Sequence, residues 1–82
     1  SDNLAMSAGV DEAKELYEDW RAADALARAA ERNVVNGVLR AIDTRGDPPQ
    51  VQTWDQARSL RKNADAASHR LMDLGRRQRG SP

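Results

Sequence analysis

The chain has 82 residues, with thirteen acidic and thirteen Lys or Arg side chains, no cysteine, and two Trp and one Tyr as its only aromatics. That length holds one small domain with a thin core, and a formal net charge of zero points to neither a nucleic acid nor a membrane as partner. The lack of cysteine excludes disulfides and thiolate metal sites and fits a reducing compartment.

Residues 1–10 lack periodicity and read as a disordered N-terminal segment. From Asp11 to about Arg45 there is no proline, and Ala, Glu, Arg and Leu dominate, so one long helix is expected. Its apolar seam runs Ala13, Leu16, Trp20, Ala23, Ala27, Ala30, Val34, Gly37 and Ala41, in alternating steps of three and four. Glu12, Glu15 and Asp19 fall in its first turns, where carboxylates suit the positive end of the helix dipole. Ser7 or Asp11 is expected to cap it.

Next comes "RGDPPQ", residues 45–50, whose Arg-Gly-Asp tripeptide is also used by cell-adhesion ligands. Every residue in it has a reading as the corner of the fold instead. Gly46 would take the positive φ that ends the first helix, and Asp47 would cap the second. Pro48 would be its first residue, with Gln50 completing a capping box. The second helix is expected over 48–74, with Ala57, Leu60, Ala64, Ala67, Leu71 and Leu74 on its seam and Gly75 as its stop. Residues 75–82, containing Arg76, Arg77 and Arg79, read as a basic flexible tail.

A turn this short folds the two helices against each other, so the fold class expected is all-α: an antiparallel, coiled-coil-like two-helix hairpin. The turn places Leu60 near Asn33 and Val34, Ala67 near Leu26, and Leu71 and Leu74 near Ala23 and Trp20. The same folding sets residues 1–24, with seven acids against two bases, beside residues 58–82, with seven bases against two acids. That asymmetry is accounted for within one chain.

Chemistry is sparsely supplied. His69, the only histidine, falls off the seam and toward solvent. Glu12, Glu15 and Asp19 have metal-ligand spacing but read as a solvated first turn. No Gly-rich phosphate loop occurs. The sequence therefore reads as a non-enzyme with no cofactor and no metal site.

A docking surface is better marked. In residues 33–42, Val34, Val35, Val38, Leu39 and Ile42 surround much of the helix where Val51 and Trp54 arrive from the second helix. Too many faces are apolar for one partner helix, and two Ala-rich helices bury little area against the entropy of ordering them. Val35, Leu39, Ile42, Val51 and Trp54 are thus the expected partner-binding residues, and dimerisation or a helical partner would complete a bundle. Gly37 suggests close approach of a bulky group, with Trp54 the nearest candidate. The alternative is a nucleic-acid-binding accessory protein that uses Arg76, Arg77 and Arg79, although no aromatic residue accompanies them for base stacking. No apolar run reaches membrane-spanning length and no leader pattern occurs, so the reading is cytoplasmic, without membrane contact.

Over Arg45 to about Leu60, "RGDPPQVQTWDQARSL" resembles the hinge of the small helical-hairpin co-chaperones of bacterial type III secretion, where a Gly-containing turn leads into a glutamine-rich helix start. It is also similar to the needle subunits of those machines, hairpins with proline at the corner. Arg76, Arg77 and Arg79 stand where needle subunits carry apolar residues, which counts against a needle. The resemblance implies a co-chaperone or adaptor that binds another helical protein.

Overall fold

A computed structural model of the chain describes residues 2–80, with side-chain surroundings for residues 9–78. Two α-helices, α1 (Asp2–Thr44) and α2 (Val51–Gly80), pack against each other as an antiparallel hairpin measuring 65 × 18 × 16 Å. No strand occurs among the described residues.

Both seams lie where the periodicity puts them. Ala27, Val34, Ala57, Ala64, Ala67 and Leu74 are buried, and the other seam residues of both helices are half-buried. The core is small because its side chains are small. No large side chain is fully buried, and alanine lets the two backbones approach closely.

α1 ends at Thr44, as expected to within a residue, and the other three helix bounds differ from those expected. α1 begins at Asp2, not near Asp11, so Ser7 and Asp11 lie inside it and neither caps it. Ala5, Met6 and Ala8 are good helix formers and extend the helix without needing a seam of their own. At the other extreme, α2 continues through Gly75, which keeps a negative φ, to Gly80. Arg76, Arg77, Gln78 and Arg79 favour the helix, and basic residues suit its negative end. The first segment and the tail, expected without structure, are thus helical over 2–10 and 75–80; Ser81 and Pro82 lie outside the described residues.

The corner closes one residue earlier than expected and opens the next helix three residues later. Arg45, not Gly46, holds the positive φ, at 55°, while the Gly46 amide donates to the Ala41 carbonyl at 3.0 Å. That six-to-one bond is the Schellman arrangement, with Arg45 in the left-handed position and Gly46 just beyond it. The Thr44 hydroxyl also donates back to the Arg40 carbonyl at 2.8 Å. Asp47 is not the cap and Pro48 does not begin the helix. A residue that precedes proline is driven away from helical φ/ψ, and Pro48 precedes Pro49. The helix can start only after the pair, with Gln50 accepting from the Thr53 amide at 2.9 Å and the Trp54 amide at 3.4 Å.

Residues 46–50 therefore run back beside the last turns of α1, so α2 starts level with Gly37 rather than Thr44. A Cβ built on Gly37 would sit 2.7 Å from Cγ of Pro49, which identifies Pro49, not Trp54, as the group that needs a glycine there. The facing pairs shift accordingly by more than a turn. Leu71 and Leu74 adjoin Ala13 rather than Ala23 and Trp20, and Leu26 is exposed rather than packed on Ala67.

Candidate functional site

Nine large apolar side chains are exposed among the described residues, and helix geometry puts seven of them on one flank. On α1, Val10 and Tyr17 stand one heptad apart, in a row that continues through Asp24 and Glu31; Val35 and Ile42 share the adjoining row, and Leu39 lies one row further round, on the back of α1. On α2, Val51 and Met72 share a row through Arg58 and Asp65, beside the row of Trp54 and Arg61. Side-chain contacts show that these rows belong to one side of the hairpin, because Arg61 reaches both Asp24 and Glu31. Leu26 alone lies on the other flank.

All five residues expected to bind a partner, Val35, Leu39, Ile42, Val51 and Trp54, are exposed, Ile42 and Val51 at 71%. Trp54 is 40% exposed. Val35 and Trp54 line one open groove with Val34 and Ala57, bordered by Glu31, Arg58 and Arg61. A second apolar groove lies on the same flank at the opposite end, between Val10 and Ala13 of α1 and Leu71, Leu74 and Gly75 of α2, with Gln78 at its edge. Sequence reasoning missed this second half of the flank. Its signal was present in the heptad spacing of Val10, Tyr17 and Met72.

Between the grooves sits an ionic cluster that sequence reasoning also missed. Arg61 makes a two-pronged pair with Glu31, Nε to Oε2 at 3.0 Å and Nη2 to Oε1 at 2.8 Å, and its Nη1 donates to Asp24 Oδ1 at 2.8 Å. Arg28 Nε donates to the other Asp24 oxygen at 2.7 Å. The Arg61 hydrogen bonds hold both carboxyls below the usual carboxylate range, against the opposing effect of partial burial. The same bonds raise the pKa of Arg61, which stays charged at any accessible pH.

The remaining candidates are scattered. The Arg45-Gly46-Asp47 tripeptide lies on the exposed corner. His69 is exposed. Among the described residues no three or more His, Asp or Glu side chains are grouped as metal ligands. Arg76 donates to Asp73 at 2.7 Å, Arg77 is exposed beside Glu12 and Arg70, and the side chain of Arg79 lies outside the described residues. Glu12 thus lies against the basic end of α2, within the same chain. No helix of the described residues is long and apolar enough to cross a membrane. No protein-family model, curated protein or solved structure matches this chain.

Proposed function

We propose that the protein is a helical protein–protein interaction module that presents one flank of its hairpin to a helical partner. A co-chaperone or adaptor of a bacterial secretion system, which the hinge resembles, is one such module. The observation that carries the reading is the one-sided placement of the exposed apolar residues: Val10, Tyr17, Val35, Ile42, Val51, Trp54 and Met72 on one flank against Leu26 alone on the other. Apolar patches gathered on one side of a protein mark interaction sites, and a helix laid on either of these two would engage residues at steps of three and four. A photo-crosslinking residue at Val35 tests this in cells. The reading expects crosslinks to protein from position 35 and few from position 26; equal yields from both would overturn it.

A further inference from the structure

We propose that the occupant of this flank is a second copy of the chain, packed face to face and antiparallel, with each Trp54 set over Gly75 of the other copy. The inference rests on the interaction-module reading and names its partner.

Gly75 is the first observation. It lies inside α2, costs the helix stability relative to alanine, and serves no contact within its own chain, since a Cβ there would meet nothing within 4 Å. The groove around it, formed by Val10, Ala13, Leu71 and Leu74, is open for a bulky apolar group. Trp54 is the second. It is the largest exposed apolar side chain, and Trp54, Arg61, Ser68 and Gly75 follow one another in seven-residue steps along a single row of α2.

A two-fold axis crossing that row between Arg61 and Ser68 sets Trp54 opposite Gly75, twice over, and Arg61 opposite Ser68. The knob and its hole are about 32 Å apart on each copy, so a single operation fills both. Gln78 at the groove edge offers a side-chain oxygen to the indole N–H. On α1 the same axis carries Val10 of one copy toward Val35 of the other. Near the axis lies Asp24, already paired with Arg61 and Arg28, while Asp65 on the neighbouring row of α2 shares its groove with Arg61 and Lys62.

The areas agree. The chain exposes 6758 Å², where a compact protein of 9.1 kDa exposes about 4,900 Å². A flank 65 Å long and 18 Å wide offers on the order of 1,000 Å² per copy, more than the ~800 Å² per partner of a standard interface. With a formal net charge of zero, two copies do not repel each other.

The test uses the full chain. Sedimentation equilibrium should show a dimer, and Trp54→Ala and Gly75→Leu should each weaken it about thirtyfold, the scale of losing a buried anchor. Gly75→Leu is the sharper variant, because its new side chain enters open space and leaves helicity intact or raised while the dimer is lost. Orientation is read by mixing Arg58→Cys with Met72→Cys copies, which should form a disulfide with each other and not with themselves. Disulfides of Arg58→Cys with itself would overturn the antiparallel packing. A wild type that stays monomeric at high micromolar concentration sinks the proposal, and crosslinks from position 35 to a different protein would then leave the interaction-module reading standing. No crosslinks from position 35 at all would remove both.

Discussion

Arg45 closes α1 in a conformation that suits glycine, and the glycine stands one residue too late to serve it. A left-handed non-glycine residue costs roughly 1–2 kcal/mol, and glycine adds back part of that as entropy, so Arg45→Gly should stabilise the hairpin by about 0.5–1 kcal/mol in urea titration. Gln50 is likewise a weak cap, and Gln50→Asp should raise stability by about 1 kcal/mol. Asp47→Ala should change it by less than about 0.5 kcal/mol, since Asp47 caps nothing. Gly37 shows the opposite balance. Adding a methyl there gains about 1 kcal/mol of helix propensity but drives it into the Pro49 ring at 2.7 Å, where overpacking costs about 1–3 kcal/mol. Gly37→Ala should therefore destabilise the wild type and stabilise a Pro49→Ala background, a sign reversal that a double-mutant cycle would expose.

The two helices are held by an alanine seam and by one polar fork. Asp24 and Glu31 both have depressed folded pKa values, so their contribution is complete above the unfolded carboxyl values, near 4. It disappears as the pH falls through the lower folded values. Melting temperature measured against pH should drop over that acidic window, and the drop should flatten in Arg61→Leu. Arg61→Lys should restore little, because an ammonium lacks the fork that grips Glu31 at two points. At this scale the sequence was readable in part. Every seam position follows from periodicity, since small apolar residues recur with helical spacing and nothing competes with them. The bounds at the corner were not readable from capping chemistry alone, because Pro49 denies Pro48 a helical conformation and moves the start of α2. The facing pairs inherited that error. The Arg61 cluster joins residues far apart in sequence, and only the true alignment of the helices reveals it.

As a whole, the molecule is a rod in which no large side chain is fully buried among the described residues and whose exposed large apolar residues crowd one side. The exposure of the apolar residues at the hinge end was visible in the sequence because valine, leucine and isoleucine there exceed what one neighbouring helix can cover. Its continuation to the far end was hidden by the reading of residues 1–10 and 75–82 as unstructured. If the rod is completed by a second copy, folding is coupled to association, and the melting temperature should climb by several degrees for a tenfold rise in protein concentration. A melting temperature that ignores concentration would count against self-association.

The alanine seam has one more consequence. Such a surface is smooth, and sliding one helix past the other by seven residues would again lay alanine on alanine at little loss of packing. What forbids sliding is the Arg61 fork, which finds Asp24 and Glu31 together at a single setting, along with the Pro49 ring lodged at Gly37. The fork is then a key more than a brace. Without it the helices should persist while the chain samples several settings, and the methyl resonances of Ala64 and Ala67, each a single peak in the wild type, should split or broaden in Arg61→Leu.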